Sequence, residues 1–300
     1  MEWVSDVAVG QWLRDQRAGA WGVPEGFPAY ARVFHPAYRE RPVGTSWPPP
    51  EDAAAWESFA ERQPEVDQER VTWRETADAL GVPMHPLVRW NDLVGVDPHS
   101  GSGDVRDLAG WRYHDPEDGN LEPDVLAATS RHFIAHTPTP DDAYAAVWDG
   151  WAEIVGAPLS GGSGAAMRYA GGKDPRHDAV LASSFRDAFG SIFRKPRWRA
   201  GILPDDVSRG PRLPMVGRDH ILFRAPLGHW EHDSWPESTP WCAPERMRVF
   251  SPSLMWPEDR SWVLMTDPDD NSTIIAGSEA LIDAICADDA IEALRLAELT

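Results

Sequence analysis

Cysteine is scarce in this 300-residue chain, which contains only Cys242 and Cys286. Two cysteines cannot form the framework of several disulfides that holds small secreted domains together. The simplest interpretation is a pair of reduced thiols in the cytoplasm. The N-terminal residues show no basic stretch followed by an apolar run, so the sequence predicts no secretory signal peptide. No stretch approaches the ~20 apolar residues that are needed to cross a bilayer.

Basic residues are also scarce relative to acidic ones. The chain has 28 Lys and Arg against 48 Asp and Glu, which gives a formal net charge of −20. Nucleic-acid binding requires clustered cations that neutralise phosphates, and an acidic surface is unfavourable at an anionic membrane. We therefore expect neither nucleic acid nor a membrane as a partner. The charge instead suits a basic protein or a cationic small molecule.

Tryptophan, by contrast, is abundant: the chain has 16 Trp and 5 Tyr. Most of these rings must be buried, since each can bury on the order of 200 Å². Three of them, Trp47, Trp235 and Trp256, stand directly before proline in segments that look like loops. An exposed aromatic ring among carboxylates can anchor a protein partner. These three are the candidate partner-binding residues, and the alternative is aromatic–proline packing within the core.

Helix signals occur in three places. Thr72 and Glu75 have the spacing of a capping box, and they predict a helix that stops at Gly81. Residues 124–136 place apolar side chains at helical spacing behind a proline. Residues 278–286 begin with a serine cap and predict a short helix.

Strand signals are spread over the second half of the chain. Residues 143–151 and 220–227 each read as a strand, and residues 261–266 and 272–276 predict a hairpin around a polar turn. Helices and strands do not alternate regularly. The sequence therefore predicts an α+β fold, with a mostly antiparallel sheet packed with a few helices and long irregular loops.

The chain is predicted to form a single domain over residues 1–300. Pro, Gly, Asp and Ser cluster in three stretches, which predict long loops near residues 42–70, 97–119 and 158–178. The alternative is a split into two lobes near residues 115–120.

The motif His-Pro-x-x-Arg occurs twice, over residues 35–39 and 85–89. A residue before proline is held in an extended conformation, which fixes the angle of each imidazole. Two imidazoles and two guanidiniums can grip a carboxylate or a phosphate. The alternative is that both histidines are hydrogen-bonded structural residues. The candidate ligand-binding residues are His35, Arg39, His85 and Arg89, with Trp90 and Trp148 as aromatic walls.

No cofactor and no resident metal are expected. The nearest approach to a metal site is the pair His132 and His136, which lie one helical turn apart. A metalloprotease helix also needs a glutamate directly after the first histidine, and Phe133 stands there. Residues 267–273 alternate oxygen ligands like the first half of a calcium loop, but Ser278 occupies the place of the bidentate glutamate. A polar hairpin turn is the better interpretation of that segment.

Common catalytic signatures are missing from the sequence. It contains no nucleophile elbow, phosphate-binding loop or dinucleotide fingerprint, and nothing selects a catalytic pair among its many carboxylates. These absences leave open whether the chain is an enzyme, and they favour a non-catalytic protein.

Five segments carry a resemblance: Trp-Pro-Glu-Asp-Arg-Ser-Trp at 256–262, and residues 29–36, 84–86, 139–150 and 267–278. They resemble uncharacterised proteins of high-GC actinobacteria, a group that implies no established activity and no catalytic residues. The hairpin with an acidic turn and a following short helix is also similar, in general character, to immunity proteins of bacterial toxin systems. Those are acidic cytoplasmic binding proteins.

Three hypotheses follow from these observations. The first is a soluble cytoplasmic acidic binding protein that engages a basic protein partner, in the manner of an immunity protein. The second is a small-molecule enzyme or sensor with a pocket lined by His, Arg and Trp. The third is a zinc-dependent hydrolase that uses His132 and His136.

Overall fold

The computed structural model describes residues 1–15, 22–95, 104–158 and 198–297. The predicted loop at 158–178 lies outside the described residues, apart from its first position, and so does the 97–103 part of the second predicted loop. No helix within the described ranges is long and apolar enough to cross a membrane.

Antiparallel strands form the frame of the molecule. They are β1 (Glu2–Trp3), β2 (Ala29–Phe34), β3 (Ala37–Pro42), β4 (Val66–Val71), β5 (Arg112–His114), β6 (Ala143–Trp148), β7 (Ala157–Pro158), β8 (Trp198–Arg199), β9 (Leu213–Met215), β10 (Arg218–Ala225), β11 (Leu254–Pro257), β12 (Val263–Thr266), β13 (Ser272–Gly277) and β14 (Ala293–Leu296). The main sheet has the order β1-β10-β6-β11-β12-β13-β2-β14, with β9 paired to β10. A smaller sheet has the order β4-β3-β5, and β7 pairs with β8. The predicted α+β class with a mostly antiparallel sheet is confirmed.

Short helices connect and cover the strands. They are α1 (Trp12–Asp15), α2 (Ala53–Arg62), α3 (Trp73–Leu80), α4 (Trp90–Val94), α5 (Pro123–Ala135), α6 (Ala152–Val155), α7 (Asp205–Ser208) and α8 (Glu279–Cys286). The predicted capping box is present at α3, where the Thr72 hydroxyl accepts from the Glu75 N–H and the Glu75 carboxylate accepts from the Thr72 N–H. The helices predicted over residues 124–136 and 278–286 are also confirmed, as α5 and α8.

The main sheet separates two apolar cores. Along β6, Ala145 and Val147 face the core under α5 and α8, while Tyr144 and Ala146 face the core under the N-terminal segment. This is the period of two that a strand imposes. In the first core Phe133 of α5 stacks on Trp262, with ring centroids 3.8 Å apart. Both faces of the sheet are therefore covered, which explains the nearly continuous burial of β6 and β13.

The long loop predicted over residues 42–70 is wrong for most of its length. Helix α2 begins inside it, where the Asp52 carboxylate accepts from the Ala55 N–H, and β4 follows. Strand β4 is an edge strand with four consecutive exposed polar residues, 67–70. The sequence of β4 lacks the alternation of apolar and polar residues that predicts a strand, because only its last residue, Val71, is buried in the core under the smaller sheet.

Burial contradicts the prediction of exposed tryptophan anchors. Trp235 and Trp256 are 2 % and 1 % exposed, and Trp47 is also buried. Trp235 donates from Nε1 to the Pro123 carbonyl, Trp256 stacks on Tyr144, and Trp47 stacks on neighbouring aromatic rings. The prolines that follow these residues bend the chain over buried rings. None of the three can act as a surface anchor in this structure.

Candidate functional site

His35 of the first His-Pro-x-x-Arg motif is sealed inside the protein. Its Nδ1 donates to the Glu117 carbonyl at 2.7 Å, and its Nε2 lies 2.9 Å from the Thr273 hydroxyl, which can donate to it. Complete burial lowers the pKa of His35 to about 4. The imidazole is therefore neutral and fully hydrogen-bonded, so the structural alternative holds for His35 and a ligand-binding role does not.

The second motif does approach the first, but through backbone atoms. Arg32, on β2, donates from Nη1 to the carbonyls of Pro86 and Val88 at 3.1 and 2.6 Å. His85 and Arg89 themselves are exposed. The Arg32 side chain, which sequence reasoning did not single out, is what joins the two segments.

The remaining candidate ligand-binding residues have separate partners. Arg39 forms an ion pair with Glu69 and lies over the Trp111 ring on the smaller sheet. Trp90 is buried and donates from Nε1 to Asp115 at 2.7 Å. Trp148 lies under the guanidinium of Arg218. With His35 and Trp90 inaccessible, the predicted pocket of six residues is not formed.

Two acidic segments meet at one end of the main sheet, and we call residues 115–118 and 267–270 the acidic loop pair. Partial burial and the neighbouring carboxylates, Asp270 first among them, raise the pKa of Asp118 to about 6. Arg218 forms ion pairs with both Asp267 and Asp269 at 2.9 and 2.7 Å. Two carboxylates of the calcium-like turn are therefore paired with a guanidinium, and residues 267–271 form the polar turn between β12 and β13.

Gly119 holds the acidic loop pair together, and its replacement should show this. Its N–H donates to the Asp270 carbonyl at 2.8 Å, its φ is +68°, and an added Cβ would lie 2.5 Å from the Cα of Pro268. We expect Gly119→Ala to lower the free energy of unfolding by about 2 kcal/mol or more, because strain and a backbone clash act together. Urea denaturation measures the loss.

Gly217→Ala is the matched control, since Gly217 has φ +72° with open space around it. It should show only the cost of a positive φ, about 1 kcal/mol. Equal losses in the two variants would contradict the proposed close approach.

The candidate zinc pair is engaged elsewhere. His132 donates from Nε2 to the Asp288 carboxylate at 2.8 Å, and His136 donates from Nδ1 to the His132 carbonyl of its own helix. In the described part of the chain no group of three His, Cys, Asp or Glu side chains is arranged to hold a metal ion. The described residues thus provide no zinc ligand set around His132 and His136.

A cleft of about 700 Å³ lies between α3 with the end of β4 and the segment that leads from α8 into β14. We call it the acidic cleft. Its floor is apolar and formed by buried side chains, among them Phe34, Val71 and Ile291. Its walls carry five carboxylates, from Glu75, Asp124, Asp288, Asp289 and Glu292, and two guanidiniums, from Arg70 and Arg74.

Glu292 ties the two walls of the acidic cleft together. Its carboxylate accepts from the backbone N–H groups of Trp73 and Arg74 at 2.7 and 2.8 Å. It thus caps the first turn of α3 from a residue far away in sequence. Burial raises the pKa of Glu292 despite these bonds. The cleft therefore has a fixed width at its inner end.

The other charges of the acidic cleft lie nearer its mouth. Arg70 pairs with Asp124 at 2.5 Å, and Asp288 accepts from His132 and from the Ala290 N–H. Asp289 is exposed at the rim. A carboxylate has about four lone-pair positions, so the bonded ones can still accept from a ligand. In the sequence, the Asp288-Asp289 pair after a predicted helix is the one signal for this site. The contact between Glu292 and α3 forms only in the folded protein, so no local pattern predicts it.

A scan against protein-family models, a search of curated proteins and a search of solved structures return no match for this chain. The resemblance to actinobacterial proteins and to immunity proteins therefore stays a prediction.

Proposed function

We propose that this chain is an acidic binding protein whose acidic cleft receives a positively charged segment of a protein partner. The observation that carries the proposal is the composition of the cleft: five carboxylates and two guanidiniums surround an apolar floor in an open volume of about 700 Å³. The excess of carboxylates follows the sign of the whole chain, whose net charge is −20.

Electrostatics and burial act together in such a site. A negative cleft on a negative protein attracts a basic partner and speeds encounter. The aliphatic stem of an Arg or Lys side chain covers apolar surface while its charged end stays near carboxylates. Cys286, Ala290 and Leu294 are the apolar lining residues that keep part of their surface exposed, and Asp288 and Asp289 stand beside them.

A cytoplasmic location and an immunity-like role belong to the same proposal. Both cysteines are free thiols, and burial raises the pKa of Cys242 to about 12 and that of Cys286 in the same direction. Such thiols are poorly nucleophilic, and their reduced state suits a reducing compartment. An immunity-like role would mean that the basic partner is a toxin.

Reversing one charge at the rim of the acidic cleft should weaken binding of a basic segment. We would select short random peptides displayed on phage against the wild-type protein and measure the winners by fluorescence anisotropy. The selected peptides should be basic, and Asp289→Lys should reduce their affinity about tenfold, since a favourable charge contact becomes a repulsive one. The affinity should also fall as salt is added.

Glu57→Lys, an equal change of charge at an exposed position of α2, is the matched control. Its affinity should stay within about twofold of the wild type, because the substitution lies outside the cleft and surface charges beyond about 10 Å are screened at moderate salt. Neutral or acidic winners, or equal losses in Asp289→Lys and Glu57→Lys, would overturn the proposal.

Two observations favour a small-molecule role. The volume of the cleft lies within the range of about 300–1,000 Å³ that is typical of small-molecule sites. Guanidiniums and carboxylates line the same space, as the two ends of a zwitterion would require. Native mass spectrometry of the purified protein tests this second candidate, since a retained small molecule adds a defined mass that the Asp289→Lys variant should lose.

A further inference from the structure

Strand β14 is an edge strand of the main sheet, and it pairs with β2 on one side. In the part of the chain that the structure describes, no strand pairs with its other side. The Phe34 N–H donates to the Glu292 carbonyl at 2.9 Å, and the register continues with Ala293 opposite Val33. In an antiparallel ladder alternate residues turn their main chain toward the partner. The N–H and C=O groups of Ala293 and Arg295 therefore point away from β2.

This free edge borders the acidic cleft. Ala293 is one of the residues that line the cleft, with Asp288 and Asp289 a few residues before it. Across the cleft, β4 is likewise the outer strand of its own sheet. Edge strands are commonly protected by charged or bulky side chains, and the four exposed polar residues of β4 fit that rule. Ala293 has a small side chain directed toward the core, so nothing bulky of its own shields its outward N–H.

We infer that the partner segment binds as an extended strand that pairs with the β14 edge at Ala293 and places basic side chains over the carboxylates of the acidic cleft. The inference rests on the proposed function and specifies the conformation of what is bound. Strand addition to a sheet edge gives affinity through main-chain hydrogen bonds. Because side chains of a strand alternate between two faces, only every second residue would turn toward the side of the acidic cleft that carries Asp288 and Asp289.

The size of the cleft also favours an extended segment. A helix is about 10 Å across with its side chains and would fill 700 Å³ within two turns. A strand reaches more of the cleft per residue, since it rises about 3.3 Å for each residue. An extended occupant thus brings alternate side chains past Asp288 and Asp289 while its main chain lies along β14.

Main-chain methylation of the selected basic peptides tests this inference. A peptide N-methyl group removes one donor and blocks one side of a strand without any change in the protein. We expect methylation to lower the affinity about tenfold at every second position and to be tolerated at the positions between. On the protein side, Ala293→Pro removes the outward N–H and should weaken binding to a similar extent. Ala293→Gly keeps that N–H and is the matched control.

The outcomes separate the two claims. If methylation is tolerated everywhere, or Ala293→Pro binds like Ala293→Gly while Asp289→Lys still weakens binding, the strand inference is overturned and the proposed function stands. If Asp289→Lys also has no effect, both fall. Circular dichroism checks that Ala293→Pro is folded, and if it is not, the methylation pattern decides by itself.

Discussion

Replacing Arg32 with alanine is expected to lower the free energy of unfolding by about 3–5 kcal/mol, the loss that follows when one partner of a buried polar network is removed. The side chain is 1 % exposed. Its guanidinium donates to the carbonyls of Pro86 and Val88 and to the Ser272 hydroxyl, and it lies 3.9 Å from the Asp270 carboxylate. Alanine would leave the Val88 carbonyl and the Ser272 hydroxyl buried without this donor.

Urea denaturation at neutral pH measures this loss, and Arg89→Ala is the control. Arg89 is an exposed guanidinium close enough to Arg32 to lower its pKa. Its removal should change the free energy of unfolding by less than about 0.5 kcal/mol, as is usual for surface positions. A loss in Arg32→Ala that is no larger than that in Arg89→Ala would show that water replaces the guanidinium without cost.

Arg32 also links stability to the acidic cleft. Its guanidinium carbon lies 4.9 Å from the centre of the Phe34 ring and 5.6 Å from that of Trp73. Phe34 forms part of the cleft floor, and the Trp73 N–H binds the Glu292 carboxylate. A variant that loses Arg32 should therefore bind basic peptides more weakly even where it remains folded, because the floor and the inner end of the cleft rest on it.

Local chemistry made much of the fold predictable from the sequence. Thr72 and Glu75 satisfy each other's N–H groups within one turn, so their spacing alone announces α3. The polar turn between β12 and β13 and the serine cap of α8 are equally local. Each of these features depends on residues within a few positions of one another, and each is found where the sequence predicts it.

The candidate site was not predictable in the same way. Glu292 caps a helix more than 200 residues away, and nothing near it in sequence announces that contact. Trp235 and Trp256 resemble loop anchors because proline follows them, yet long-range packing decides their burial. His35 belongs to a repeated motif, but its hydrogen-bond partners lie far away in sequence. They are Glu117, in a loop, and Thr273, on β13. Tertiary contacts determine whether these side chains are buried and what they bind, and a local sequence pattern carries no information about those contacts.

Acid should destabilise the chain through two buried histidines, His35 and His220. Burial lowers the pKa of His35 to about 4 and that of His220 to about 3, from an ordinary value of 6.5. Below pH 6.5 the unfolded chain therefore takes up protons that the folded chain cannot accept. The stability from the neutral imidazoles is complete above that pH and is lost as the pH falls toward 4 for His35 and toward 3 for His220. At about 1.36 kcal/mol for each pKa unit, His35 alone accounts for on the order of 3 kcal/mol.

The substitution His220→Leu separates the effect of one imidazole on acid stability from the effect of the carboxylates, because the carboxylates are the same in the variant and the wild type. Nδ1 of His220 has no hydrogen-bond partner among the described residues, so leucine removes the proton site and little bonding at that atom. The free energy of unfolding of the variant, minus that of the wild type, should rise by about 2 kcal/mol as the pH falls from about 7.5 to 5. Urea denaturation across that range measures it. His85→Leu, at an exposed position, should follow the wild-type curve. A difference between His220→Leu and wild type that stays constant with pH would mean that the folded protein accepts the proton at His220, and the acid lability would then need another origin.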